Sequence, residues 1–378
     1  MRNLFFYGSL RDMELLETVL GHGLSASVMQ QATLEGHAVY WAAGRSFPVL
    51  VAAPAAQAQG VLVKDLSQAD MARLDFYEGG FDFDLRSCKV TSMDGKTEMA
   101  EVYFPASGRW QPGASWSLSD WRAQWGDISL QAAREAMIYF GRIPAQELAR
   151  RFPAIRSRAQ SYVRGVADLR APTLGRAMTR ADVTVLAQDI PYSNFFALEE
   201  TDLQFCRFDG TRANPVSRAV FTGFDAAIVL PYDPVCDCVV LVEQFRIGPY
   251  ARGARHPWTL EPVAGHVDLG ETAETAARRE VEEETGIVLR GLELISRSYP
   301  SPGCSSEYYH IFLGLCDLSA VRDGIGGLAS EEEDIRRHII SFERLMELVD
   351  NGEAENGPLV LVALWLARQR DRLRSTSG

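Results

Sequence analysis

Residues 265–287 read GHVDLGETAETAARREVEEETGI, and no other stretch restricts the fold and chemistry of this chain as strongly. The segment AETAARREVEEETG is rich in Ala, Arg and Glu and closes at Gly286, a residue suited to the left-handed position after a helix, so the spacing predicts a short helix. On that helix Glu280, Glu283 and Glu284 stand at i, i+3 and i+4 and share one face. Like charges one turn apart repel, and acids in a last turn oppose the negative end of the helix dipole, each effect being roughly a few tenths of a kcal/mol or more. A bound hard cation would relieve both. An all-oxygen donor set without Cys or His favours Mg²⁺ or Mn²⁺ over zinc. The alternative for a charge run of this kind is a solvated acidic face.

Gly265, Glu271, Arg279, Glu280, Val281, Glu283, Glu284, Gly286 and Ile287 fill every fixed position of the Nudix box, G-x5-E-x7-R-E-U-x-E-E-x-G-U with U a bulky aliphatic residue. The chain therefore resembles the Nudix hydrolases. The resemblance implies hydrolysis of a nucleoside diphosphate linked to another group, with helix glutamates holding divalent metal, and an α/β/α sandwich for the domain that carries the box.

At 378 residues the chain exceeds one typical domain, and 47% hydrophobic residues are enough for sizeable cores. A formal net charge of -12 argues against a nucleic-acid partner, whose phosphates need a basic surface. The six cysteines form no CxxC pair and no zinc spacing. Met1 leads into LFFYGSL without a basic segment, a long apolar stretch or a cleavage site, so no signal peptide is expected. No run approaches the ~18 to 20 apolar residues of a membrane span. A cytoplasmic protein without a membrane partner is the expectation.

Strand-like runs such as NLFFYGSL, ATLEGHAVYW, FPVLVA and EMAEVYF dominate residues 1–112 and point to a compact α+β domain. Helical periodicity takes over in SDWRAQWGDISLQAAREAMIYF and AQELARRFPAIRSRAQSYVRG, read as a helical connector or small module over 113–180. Its arginines suit a solvated or domain-docking face better than a nucleic-acid patch in so acidic a chain. Strands return after Asp182, and 181–378 is expected to be the Nudix domain.

Around the box, AAIVLPYDP, VEQFRI, PWTLEPVAG and SYPSPGCSSE resemble the flanks of bacterial ADP-ribose pyrophosphatases, and Pro302 falls fifteen residues beyond Ile287, where that subfamily carries a marker proline. Carried over position by position, the resemblance implies that Glu280, Glu284, Glu333 and the backbone carbonyl of Ala264 hold Mg²⁺, with Mn²⁺ as a substitute. It implies that Glu331, in LASEEEDIRRHII, is the general base, with the register among Glu331, Glu332 and Glu333 left open. A loop acid can swing over substrate to meet water beside a metal-bound phosphate. Arg246 and Arg218 match positions that hold phosphate or ribose, a task suited to a forked guanidinium. Phe195 matches an aromatic that sandwiches adenine, and Glu307 a ribose contact. Arg279 and Glu271 are expected to pair and aim the ligands, and Glu283 completes the catalytic set. A homodimer through the Nudix domain is implied as well.

Near the N-terminus, Tyr7, Gly8, Ser9 and Leu10 with the later LDFYEGGFDFDLRSCKV resemble the gamma-glutamylcyclotransferase-like family. There the YGSL turn offers backbone amides to a carboxylate, as clustered amides do, and the glutamate of an EG dipeptide, here Glu78, shuttles protons. Phe81 stands where related proteins carry Tyr. Catalysis by Glu78 and a domain kept for docking both stay open.

The chain is thus read as α+β overall: a small gamma-glutamylcyclotransferase-like β-barrel/α+β domain, a helical connector and a Nudix α/β/α sandwich. The function expected is Mg²⁺-dependent hydrolysis of ADP-ribose or a related ADP-sugar to AMP and ribose 5-phosphate. The alternatives are a bifunctional protein that also acts as a gamma-glutamyl cyclotransferase, and a non-catalytic ADP-ribose sensor.

Overall fold

A computed structural model of the chain describes residues 1–81, 83–106, 108–170, 173–175, 178–327 and 333–375. Glu331 and Glu332 lie outside them. Two compact units emerge, Met1–Ser217 and Arg218–Gly378. Among the described residues no helix is long and apolar enough to cross a membrane.

The first unit opens with β1 (Arg2–Phe6), α1 (Met13–Leu20), β2 (Met29–Ala42), β3 (Pro48–Leu66), α2 (Gln68–Glu78), β4 (Phe83–Ser92), β5 (Thr97–Pro105) and β6 (Pro112–Ser115). Hydrogen bonds run in the order β3-β1-β5-β4-β2, and β2 returns to β3, so five strands close into a barrel with β6 added beside β2. Closure leaves those five strands without an open edge. Alternation along the strands sorts the side chains: Phe5, Leu34, Leu62, Val90 and Val102 form one cluster made of strand residues. Leu4, Phe6, Val61 and Val63 turn the other way, towards helices.

Those helices include α3 (Leu118–Trp121), a wider π turn at Arg122–Gly126, α4 (Asp127–Ile138) and α5 (Ala145–Ala167). Trp121, Ala132, Ala133, Ala136, Leu148 and Ile155 are buried in the same core as Leu4 and Phe6. The stretch read as a connector thus supplies part of the first unit's core. The hairpin of β7 (Val183–Ser193) and β8 (Ala197–Phe205) packs there too, because Ile190 and Ala197 join that core. Arg158, only 3% exposed, pairs with Glu135 and donates to Ser193 Oγ and to the carbonyls of Asn194 and Phe195. The arginine-rich face is therefore a docking face at this position. Residues 181–217, read with the C-terminal domain, pack with the first unit for the same reason.

β9 (Val216–Thr222) leads into the second unit, which continues with β10 (Asp225–Asp233), β11 (Cys238–Phe245), α6 (Ile247–Arg252), β12 (Trp258–Glu261), β13 (Val263–His266) and α7 (Ala273–Thr285). It ends with β14 (Gly291–Ser298), β15 (Tyr308–Leu315), β16 (Gly324–Gly326), β17 (Ile335–Ser341), α8 (Phe342–Asp350) and α9 (Gly357–Ser375). The sheet order is β14-β15-β10-β11-β17-β16, mixed, with β10 and β15 parallel. Period-two alternation gives the layers: Val240 and Val242 pack with Ala276, Ala277 and Val281 of α7, whereas Val239 and Leu241 pack with Leu345, Leu359 and Val362 of α8 and α9. This is an α/β/α sandwich. β10 and β11 pair only at their hairpin end, Tyr232 with Val239 and Asp233 with Cys238. Beyond it β13 pairs with β10 and β12 with β11, so the sequence TLEPVAGH is inserted where the two central strands part.

Candidate functional site

The parted strands set Glu261 and Gly265 against α7. Thr272 caps this helix by accepting from Thr275 N, and Gly286, at φ 68°, closes it with its N–H on the Glu282 carbonyl. Arg279 sits at the hub. Its Nε and Nη2 donate to the two oxygens of Glu271, both at 3.0 Å, and Nη1 donates to Glu280 Oε1 at 2.7 Å and Glu283 Oε2 at 3.0 Å. Nη2 also reaches the His266 carbonyl at 3.1 Å, which ties the helix to the end of β13. These bonds, that to Glu271 foremost, raise the Arg279 pKa, so the cation is permanent.

Glu284 is 3% exposed, and its Oε2 is buried without a hydrogen-bond partner. Burial, with the fields of Glu280 and Glu333, pushes its pKa up to about 9. Glu280 is pushed up to about 7 by burial and by Glu283 and Glu333, against the pull of Arg279. The carboxylates of Glu280, Glu284 and Glu333 thus repel one another at a poorly solvated place, and Arg279 and Arg246 offset only part of that charge. Two further glycines shape it: a Cβ on Gly326 would lie 2.1 Å from the Glu284 carbonyl oxygen, and one on Gly327 2.8 Å from Glu333 Cβ. β16 can pack on the end of α7 because those side chains are missing.

Among the described residues no three His, Cys, Asp or Glu side chains are gathered closely enough to hold a metal ion as they stand. Glu280 is turned to Arg279 rather than to Glu284. The donor chemistry nevertheless fits a hard divalent cation, because the orphaned Glu284 oxygen and the mutual repulsion of Glu280, Glu284 and Glu333 both call for positive charge.

Arg246 and Glu261 form a forked ion pair, with Nε at 3.0 Å from Oε1 and Nη2 at 2.7 Å from Oε2. Glu261 is 5% exposed and also accepts from Thr259 Oγ1 at 2.5 Å. Glu284 and Glu333 add to the field at Arg246, so this guanidinium borders the acidic cluster. Glu261 had no role in the sequence reading although it stands in the flank TLEPVAG; only its pairing across from β11 shows one. Glu307 accepts from Ser305 Oγ at 3.3 Å and occupies space left by Gly223, where a Cβ would meet its Cγ at 2.4 Å. Its field reaches Tyr309, as do those of Glu261 and Arg246. Arg218 is exposed on β9. Phe195 is 52% exposed at the tip of the β7–β8 hairpin, edge-on to Phe196. Ala264 pairs with Ile228, beside the glycine that abuts Glu280.

The first unit holds a second cluster. β1 runs into Tyr7, Gly8, Ser9 and Leu10, and the turn closes with Arg11 N donating to the Gly8 carbonyl at 3.0 Å. A Cβ on Gly8 would stand 2.8 Å from Pro48 Cγ, so the turn needs glycine there. Leu10 is buried in the core. Glu78 is the last residue of α2, and burial raises its pKa to about 7. Its charge, after burial, raises the phenols of Tyr7 and Tyr77. Gly80 lets α5 approach, since a Cβ there would lie 2.3 Å from the Ala145 carbonyl oxygen. Phe81 packs edge-on against Phe152 of α5, ring centres 5.1 Å apart, in an apolar contact with no use for a hydroxyl. Arg156 of α5 donates to Ser46 Oγ and lies 5.4 Å from the Trp125 ring, yet its Nε and Nη2 are buried without an acceptor. Sequence reasoning missed Arg156, because an arginine in a charged helical run reads as solvated.

With this geometry the comparisons agree. The family model for the NUDIX domain matches residues 224–361, and that for gamma-glutamyl cyclotransferase, AIG2-like, matches residues 4–123. The ADP-ribose pyrophosphatase of Escherichia coli (strain K12) is 38% identical over 194 residues, 51% of this chain and 92% of that protein. The ADP-ribose pyrophosphatase of Haemophilus influenzae is 37% identical over 190 residues, 50% of this chain and 87% of that protein. The GDP-mannose pyrophosphatase of Salmonella typhimurium is 32% identical over 184 residues, 49% of this chain and 94% of that protein.

Proposed function

Because the chain belongs to the Nudix family, with an AIG2-like gamma-glutamyl cyclotransferase domain ahead of its Nudix domain, we propose that this Nudix pyrophosphatase hydrolyses the diphosphate of ADP-ribose or a related ADP-sugar. The observation that carries the reading is the buried carboxylate of Glu284, whose Oε2 has no hydrogen-bond partner, in the field of Glu280 and Glu333. Glu280, Glu284, Glu333 and the Ala264 carbonyl would hold divalent metal, Mg²⁺ with Mn²⁺ as a substitute. When bound, such a cation supplies neutralisation of the diphosphate and a lower pKa for the attacking water.

The chain's own residues do the rest. Arg279 fixes Glu280 and Glu283 to the Glu271 loop. Glu261 occupies two donors of Arg246 and leaves Nη1 for a phosphate oxygen, with Glu307 for the ribose. Glu331 takes the proton of the attacking water, Arg218 contacts the nucleotide, and in-line displacement at the adenosyl phosphorus releases AMP and ribose 5-phosphate. We place the Nudix domain within 181–378, in a cytoplasmic homodimer. Turnover of ADP-ribose, ADP-glucose and GDP-mannose with and without Mg²⁺ tests the reading: loss of ADP-ribose turnover in Glu284→Gln supports it, and unchanged turnover in that folded variant overturns it.

A second reading is favoured by Glu78, whose carboxyl is held near pKa 7 by burial beside the Tyr7–Leu10 turn. In it the first unit is a gamma-glutamyl cyclotransferase. The substrate's α-amine attacks its own γ-carbonyl carbon, the amide C–N bond breaks, and Glu78 carries the proton from the attacking to the leaving nitrogen, giving 5-oxoproline and a free amine. Release of 5-oxoproline that Glu78→Gln abolishes would support it; none from the wild type would overturn it.

A further inference from the structure

A groove of the second unit lies on the face of the sheet turned away from α7. Val240 and Val242 of β11 face α7 whereas Leu241 faces α8 and α9, so Glu243, two residues beyond Leu241, lies on the α8 side. Leu260 stands opposite Glu243 and His338 opposite Leu241, so both share that face. With Trp258 and Ile340 from the strands, Arg344 and Leu348 from α8, and Glu353 and Glu355 from the turn after α8, they border about 690 Å³. That is the size of a small-molecule site. We propose that this groove binds an aliphatic diamine as its diammonium ion, and that the occupant tightens nucleotide binding at the α7 site. The second half of the proposal rests on the pyrophosphatase reading.

The lining selects the ligand. Leu241, Leu260, Ile340 and Leu348 offer an apolar surface to a methylene chain. Glu243 stands on the sheet and Glu353 and Glu355 on the turn after α8, so carboxylates meet a ligand from two walls. Arg344 is the one Lys or Arg among the described lining residues, and it is shared between Glu347 at 2.9 Å and Glu353 at 3.5 Å. Glu243 Oε2 pairs with His338 Nε2 at 2.8 Å, which leaves Oε1 for an ammonium. Trp258 is 55% exposed, and an indole attracts ammonium ions. The excess of negative charge repels nucleotides and other anions. Hydrated Mg²⁺, which keeps its waters, makes no use of the apolar surface.

This groove and the Arg246–Glu261 pair share two strands. Thr259, which lines the groove between Trp258 and Leu260, donates to Glu261 Oε1 at 2.5 Å, and Glu261 holds the Arg246 fork. Arg246 N donates to the Pro257 carbonyl at 2.9 Å, next to Trp258. A ligand that bridges β11 and the turn after α8 orders these strand ends, so the nucleotide has less ordering to impose on Arg246.

Calorimetry on the full-length chain, without metal or nucleotide and at physiological ionic strength, compares 1,4-diaminobutane with butylamine. The diamine should bind ~10-fold or more tightly, the worth of one further charge-assisted bond. Glu243→Gln and Glu355→Gln should each weaken the diamine ~10-fold, whereas Glu35→Gln, at an exposed acid of the first unit, should change nothing. No binding, equal binding of diamine and butylamine, no loss in the two groove variants, or an equal loss in Glu35→Gln overturns the proposal. With Mg²⁺, saturating diamine should lower the KM for ADP-ribose ~5-fold at unchanged kcat in wild type and leave it unchanged in Glu355→Gln at the same concentration. An unchanged wild-type KM overturns the coupling. If ADP-ribose is not turned over at all, the pyrophosphatase reading fails on its own and the calorimetry decides the groove.

Discussion

The carboxylate of Glu280 occupies the space where a side chain at Gly265 would begin. A Cβ on Gly265 would fall 1.9 Å from both Cδ and Oε1 of Glu280. Because Glu280 is tied to Arg279, it cannot yield without breaking that network. Gly265→Ala should therefore lower kcat for ADP-ribose by ~10²-fold or more, the scale of a displaced catalytic group, while the protein stays folded. Steady-state kinetics beside circular dichroism of the variant decide this.

Removing the Glu284 charge should stabilise the metal-free protein. Glu284 and Glu280 are raised to about 9 and about 7, so the native state keeps protons that unfolded glutamates release near 4.5. The native state binds more protons in that window, so stability is present at low pH and falls as pH rises, by up to ~1.4 kcal/mol per pH unit per group. In EDTA at pH 8, Glu284→Gln should match or exceed the wild-type Tm. Mg²⁺ should raise the wild-type Tm and leave that of the variant nearly unchanged.

Glu261 acts through Arg246. Glu261→Gln keeps the shape but removes the charge that orients the fork, so KM should rise ~10-fold with kcat little altered, as for an interaction shared by bound substrate and transition state. A fall in kcat at unchanged KM would instead put Glu261 in the chemistry.

Among the three consecutive glutamates 331–333, Glu331→Gln should lower kcat by ~10² to 10⁴, as for a general base, with Mg²⁺ and substrate affinity nearly unchanged. Glu333→Gln should raise the Mg²⁺ needed for half-maximal rate, with partial rescue by excess metal. Glu332→Gln should behave as wild type. Comparing kcat of the three variants at saturating Mg²⁺ fixes the register.

Much of this was legible because it is local. Nine box residues at fixed offsets announce a capped helix, its acidic face and the Glu271–Arg279 pair. The unbroken apolar run Val239–Val242 announces a strand buried on both faces. What long-range pairing decides was not legible. The return of β2 to β3 that closes the barrel was expected only through the family resemblance, and the parting of β10 and β11, which gives Glu261 its partner, was not expected at all. Arg156 and Arg158 lie two residues apart in one charged run, yet one reaches Ser46 and the other lies buried against Glu135. Nothing in their spacing separates them from solvated arginines.

The central claim is that the glutamates of α7 make this chain a metal-dependent pyrophosphatase of ADP-ribose. Hydrolysis of ADP-ribose in H₂¹⁸O with Mg²⁺, with the products resolved by mass spectrometry, tests it most directly. The account predicts ¹⁸O in AMP, unlabelled ribose 5-phosphate, no reaction in EDTA and none in Glu284→Gln. Turnover that persists in EDTA or in the Glu284→Gln protein would contradict it, and label in ribose 5-phosphate would contradict attack at the adenosyl phosphorus.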